Sequence, residues 1–159
     1  MTMGTGTIMR KSGKITGGIA EVYNPMGMNK PGERPPLSEK VAERVAEAAH
    51  GLNRAYCFAY GMDAGSAWKN TLSPEKESVI DGVKYIYEND VWDPRLSHDR
   101  WMELKLRDGW KWGEIKSWEH RTHPCLLPWH GLPRQQRIKD ILFLGVVQTL
   151  LFYHELCNE

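Results

Sequence analysis

From Arg134 to about Leu156 the chain keeps a helical period without a break, with apolar positions at Ile138, Ile141, Leu142, Gly145, Val146, Thr149, Leu150 and Tyr153. Within it, Ile141 to Tyr153 forms the longest apolar run, about thirteen residues, interrupted by Gln148 and Thr149. A membrane span needs about 20 apolar residues. This segment is therefore expected to be a long helix of a soluble protein, burying one stripe against other helices of the same chain.

Three further helices are expected upstream. Ser38 can cap a helix with apolar positions Val41, Val45, Ala48, Leu52, Ala55 and Ala59, which Gly61 ends. Ser73-Pro74-Glu75 reads as a cap, a proline at the first helical position and an acid in the first turn. Val79, Ile80, Val83, Ile86 and Tyr87 then mark one face, and Asn89 and Pro94 close that stretch. A shorter helix is predicted from Ser97 through Trp101, Leu104 and Arg107 to Gly109. Gly109-Trp110-Lys111-Trp112-Gly113-Glu114-Ile115 alternates at period two and predicts a short strand or hairpin. The fold class is mainly α, about four helices with one short β-hairpin.

The first forty residues differ from the rest. They hold seven Gly, four Pro and five of the seven Met, with six basic and three acidic side chains. Residues 1–37 are accordingly expected to be a flexible basic arm, and residues 38–159 the folded domain. Across the whole chain the hydrophobic fraction is 41% and the charged fraction 26%, which excludes wholesale disorder. A net charge of +1 excludes holding nucleic acid by bulk charge. Three widely spread cysteines, Cys57, Cys125 and Cys157, fit a reducing compartment better than a disulfide framework. No signal-like segment stands at Met1 to Ile15. A cytoplasmic location is expected.

All seven tryptophans lie after residue 67. His98, Trp101 and Lys105 are spaced three and four apart, so imidazole, indole and ammonium share one helix face. An indole offers a stacking surface for a planar base, and the flanking polar groups can hold its edge or a phosphate. Trp110 and Trp112, two apart on a strand, would add a second aromatic wall. On the first helix Asn53 can read a hydrogen-bonding edge and Arg54 can pair with an anion. The bland account of each group is ordinary packing and solvated charge. His120, His123, Cys125 and His130 invite a zinc site, but their spacing matches no common finger or catalytic pattern, and neither a metal nor a cofactor is expected. Nothing in the sequence reads as a catalytic centre.

Several motifs together resemble the RyR domain, the repeat first named in ryanodine-receptor calcium channels and also found as a single copy in bacterial and phage proteins. They are Asn53-Arg54-Ala55-Tyr56-Cys57, Ser78 to Gly82-Val83, His98-x-x-Trp101, Gly109-Trp110-x-Trp112-Gly113, His123-Pro124-Cys125-Leu126-Leu127-Pro128, Leu132-Pro133, Lys139-Asp140 and Val146-Val147. The resemblance runs over about residues 40 to 155, and Trp112 stands where the family more often has Tyr. It implies a small helical domain with a short hairpin that pairs with a second copy, hence a homodimer. It also implies binding of a nucleotide-like ligand without catalysis. Carried over by position, Trp101 would stack on the base, Lys105 would be the basic partner, and Asp140 a polar base reader. His98, Asn53, Arg54 and Trp110 would be wall groups.

Three functions compete on these grounds. One is a non-catalytic binder of a nucleotide or cyclic-nucleotide signal, in a phage a sponge for a host defence signal. The second is a structural or interaction domain whose tryptophans form core and dimer interface. The third is a nucleotide-acting enzyme with metal at His120, His123 and Cys125.

Overall fold

The computed structural model describes Arg34 and residues 36–156, the side chains of 154–156 excepted. Most of the expected arm lies outside these residues. Four helices follow in order: α1 (Glu39–Ala59), α2 (Ser73–Glu88), α3 (Pro94–Arg107) and α4 (Arg134–Leu156). Between α3 and α4 lie two short strands, β1 (Lys111–Trp112) and β2 (Thr122–His123), and single 3-10 turns occupy Trp68–Asn70 and Trp129–Gly131. The mainly helical class and the four-helix count hold.

The helix ends follow from local chemistry. Ser38 Oγ accepts the Val41 N–H at 3.3 Å and so satisfies a donor that the first turn leaves over. At the other end of α1, Gly61 takes a left-handed φ of 64°, and the Met62 N–H returns to the Cys57 carbonyl at 2.9 Å. Ser73 is the first residue of α2 rather than its cap, a shift of one position within ordinary end fraying. The third helix starts earlier than the sequence reading, at Pro94 instead of Ser97. Asp93 caps it by accepting the Arg95 N–H at 2.9 Å, so Pro94 opens this helix instead of closing the stretch before it.

The β element is present, but β1 and β2 pair in parallel, Lys111 with Thr122 and Trp112 with His123. It is not a simple hairpin. The reversal expected of a hairpin occurs inside the connection, where Ser117 and Thr122 form an antiparallel bridge, and that turn sends β2 back along the direction of β1. Gly113 is required at the exit of β1, since a Cβ there would lie 2.8 Å from the Thr122 Cβ.

The apolar core lies where α1, α2 and α4 meet, with Val83, Ile86 and Val147 its largest wholly buried side chains. On α1 the buried stripe is Ala42, Val45, Ala46 and Ala49, so of the predicted positions Val45 is buried while Ala48, Leu52, Ala55 and Ala59 are exposed. An alanine-rich helix offers more than one stripe at helical period, and packing of α4 and α2 against α1 selects the one with small residues at 42, 46 and 49. The α4 stripe is rotated likewise. Leu144, Val147 and Leu151 are buried, whereas Ile141, Gly145, Thr149 and Tyr153 face outward. Gln148 is buried among them, with its amide donating to the Val91 carbonyl. Arg34 and Leu37 join the body directly. Leu37 belongs to the core, and the Arg34 guanidinium donates to the Tyr87 carbonyl and the Asp90 carboxylate, both at 2.9 Å. Among the described residues no helix is long and apolar enough to cross a membrane.

Candidate functional site

Where α3 crosses α4, a cavity of about 200 Å³ opens between them and the flanks of α1 and α2. From α3 come Ser97, His98 and Trp101; α4 gives Gln136, Lys139, Asp140 and Phe143. Asn53 reaches it from α1, Ser78, Val79 and Gly82 from α2, and His123 and Cys125 from β2 and the loop behind it. Trp101 and Asp140 thus line one space, which is the condition for their acting together.

His98 is 4% exposed and organises this space. Its Nε2 lies 2.9 Å from the Leu127 carbonyl and its Nδ1 3.2 Å from Asp140 Oδ2. A carbonyl and a carboxylate both accept, so both ring nitrogens must donate and the ring is an imidazolium. Burial disfavours that charge, yet the Asp140 carboxylate and the Leu127 carbonyl outweigh it, and the His98 pKa lies above the ordinary histidine value. Asp140 is therefore committed through one oxygen to holding His98. His98 in turn lies beside Trp101, ring centroids 5.7 Å apart, and edge-on to Trp129 at 5.9 Å.

His123 behaves in the opposite way. Its Nδ1 accepts the Cys125 N–H at 3.0 Å, which places the ring proton on Nε2 of a neutral imidazole. Burial, helped by the charges of Lys116, Lys139 and Lys105, lowers its pKa to about 4. Its ring stands edge-on to Trp101 at 5.0 Å. The Cys125 thiol is pushed up by burial, the reverse of an activated nucleophile.

A second cavity of about 120 Å³ adjoins the first, and Ser78, Val79, Trp101 and His123 line both. Lys105, Trp110, Lys116, Trp118 and Glu75 complete it. The Lys105 ammonium lies 5.1 Å from the centroid of Trp110 and 5.6 Å from that of Trp118, over two indoles that meet edge to face at 4.9 Å. Burial holds Lys105 below the ordinary lysine range, with Asp108 opposing the shift and Lys116 adding to it. Lys116 pairs with Glu75 at 2.7 Å. Among the described residues neither Lys105 nor Lys139 has a carboxylate within ion-pair distance. Beyond this cavity lies an open cleft of about 820 Å³, reached past Lys105, Trp110 and Trp118.

Of the residues singled out from sequence, Asn53, His98, Trp101 and Asp140 line the first cavity, and Lys105 and Trp110 line the second. Arg54 and Trp112 line neither. Arg54 follows Asn53 on α1 and so points about a third of a turn away, with its guanidinium over the Phe58 ring at 5.6 Å. Trp112 is 52% exposed while Trp110 is 7% exposed. Trp110 precedes β1, and its N–H closes α3 by bonding to the Lys105 carbonyl, so the period-two relation to Trp112 does not apply. Trp118 supplies the second indole instead. His123, Cys125, Gln136, Lys139, Ser78 and Lys116 were not picked as ligand-binding groups. The His123-Pro124-Cys125 and Lys139-Asp140 motifs are the available signals for three of them. The zinc reading has no geometric support, as no three His, Cys, Asp or Glu side chains among the described residues are grouped to hold a metal ion.

Every group from α3 through α4 that lines the two cavities falls in one continuous segment. Residues 95–154 match the RyR domain family. The RyR segment supplies His98, Trp101, Lys105, Trp110, His123, Lys139 and Asp140, while Asn53, Glu75 and Ser78 come from helices before it. The likeness to RyR motifs at Asn53 to Cys57 and Ser78 to Val83 lies outside the matched residues.

Proposed function

We propose that this protein is a non-catalytic binding module for a nucleotide-type ligand, base in the first cavity and phosphate toward Lys105. One observation carries this reading: Trp101 and the His98 imidazolium line a cavity beside Lys105 and Lys139, which among the described residues have no carboxylate within ion-pair distance. An aromatic wall favours a planar ring, and unneutralised half-buried cations favour an anion. The buried side-chain oxygen of Asn53, which has no partner among the described residues, adds an acceptor for an amino group such as a base carries. Binding is favoured over turnover because the titratable groups are already engaged. His98 uses both nitrogens, His123 accepts through Nδ1, and the Cys125 thiol is held protonated. A protein that keeps such a ligand unchanged withdraws it from solution, and sequestration of a nucleotide signal, in a phage setting a defence signal, is the role we attach to it. Pairing of two copies belongs to the same proposal, by likeness to the paired channel repeats.

The test is mass spectrometry of small molecules released by heat from purified protein after incubation in cell lysate. An intact nucleotide, missing from a Trp101→Ala control, is the expected result. A nucleotide recovered chemically altered, or none above the control, overturns the proposal. The competing interaction-domain reading draws on Trp92 and Trp112, which are 60% and 52% exposed. It expects no nucleotide and a second copy or partner seated on those indoles.

A further inference from the structure

Resting on that reading, the charges around the cavities narrow the ligand class. In the two joined cavities the cations are His98, Lys105, Lys116 and Lys139, and the anions are Glu75 and Asp140. His123 is neutral there, with its Nδ1 accepting a backbone N–H. Among the described residues two positive charges remain without a counter-charge. The open cleft beyond is different. Apart from Lys105 it presents Arg100, Arg107 and Arg121 against Glu77, Asp81 and Asp108, and these cancel. The surplus is confined to the inner space. A half-buried charge surplus is expensive unless a bound partner neutralises it, so the ligand should carry about two negative charges and carry them inside.

The aromatic faces narrow it further. Lys105 already lies over both Trp110 and Trp118. Lys116 lies over Trp118 as well, at 5.8 Å, the two indoles meet edge to face, and Trp110 is almost wholly buried, so both are already engaged and the stacking place left in the inner space is beside Trp101. We infer that the ligand is a nucleoside monophosphate, with one base beside Trp101 and a dianionic phosphate between Lys105 and Lys116, rather than a polyphosphate or a two-base compound. Further phosphates would have to enter the balanced cleft, where Glu77, Asp81 and Asp108 repel them as strongly as the arginines attract. Glu75 then sets the charge preference. Its carboxylate holds Lys116 at 2.7 Å and competes with the incoming phosphate for that ammonium.

Isothermal titration of the full chain with the four common nucleoside monophosphates identifies the base. The nucleoside, its 3′,5′-cyclic monophosphate, diphosphate and triphosphate are then titrated with the same base. The monophosphate is expected to bind at least about tenfold more tightly than the nucleoside and the triphosphate, which corresponds to about 1.4 kcal/mol. Glu75→Gln frees Lys116 and should raise diphosphate affinity relative to monophosphate by roughly the same factor. A diphosphate or triphosphate that binds the unaltered protein as tightly as the monophosphate overturns this inference and leaves the nucleotide-binding proposal standing. Failure of every nucleotide to bind overturns both.

Discussion

The two halves of α4 solve different problems. Its C-terminal half, with Leu144, Val147 and Leu151, closes an apolar core against α1 and α2 in which Val83 and Ile86 are wholly buried. Its N-terminal half, with Lys139, Asp140 and Phe143, faces α3 across a cavity lined by an imidazolium, a neutral imidazole and an indole. The first half gains stability by excluding water from saturated surface. The second keeps charges half-buried and leaves an Asn53 oxygen unpaired, which a chain selected for stability alone has no reason to retain. The core and the cavity are thus divided along one helix, and the segment that matches the RyR family, residues 95–154, supplies most of the cavity lining.

The largest effect should come from the core side. Ile86→Ala is expected to lower unfolding free energy by about 2–5 kcal/mol, through lost burial and the cavity left behind. Urea denaturation measures it, and a loss well under the lower bound would mean the core is not where the stability lies. Next comes acid sensitivity from the site side. The His123 pKa is lowered to about 4 in the fold, so the unfolded chain binds more protons between that value and the ordinary 6.5. Stability is therefore fully present above about pH 6.5 and falls as pH drops through that window, by up to about 3 kcal/mol. His123→Gln should remove this part of the slope in denaturation curves. An unchanged slope would contradict the buried neutral ring.

His98 has the opposite sign. Its folded pKa is raised, so its contribution is present below the ordinary histidine range and is lost as pH rises through the folded value. His98→Leu, which strips partners from the Leu127 carbonyl and from Asp140, should cost about 1.5–3 kcal/mol near pH 6 and less at about pH 9. Equal costs at the two pH values would show that the ring is not an imidazolium. Trp101→Ala should weaken the nucleotide by about 1–3 kcal/mol, the range for a stacked base, seen by titration calorimetry. If affinity is unchanged, Trp101 is packing only. The smallest effect belongs to the surface. Lys84 pairs with an exposed Glu39, and Glu39→Gln should change thermal stability by no more than about 0.5 kcal/mol.

Local signals were readable where local chemistry decides the outcome. The closing helix from Arg134 to Leu156, the Ser38 cap and the end of the first helix at Gly61 were all legible, since caps and periodicity act within a turn or two. The start of α3 was misread because Asp93-Pro94 is equally a helix ending and a helix opening until a capped N–H is seen. The helix faces were misread for another reason. In α1 and α4 several stripes satisfy the helical period, and only the neighbour's position selects one.

The site divides the same way. His98, Trp101 and Lys105 were found together because three- and four-residue spacing guarantees a shared face on any helix. Yet that face is split between two cavities, with His98 lining the first, Lys105 the second and Trp101 the wall between. Trp118 and Lys139 could not be found by spacing, since a loop reversal and a helix crossing bring them in. By itself the sequence determined the helices, their caps and a supply of indoles and cations. The tertiary structure decided which indole stands free of a lysine, which histidine is charged, and where positive charge goes unanswered. Those properties depend on distances between groups far apart along the chain, and only packing sets such distances.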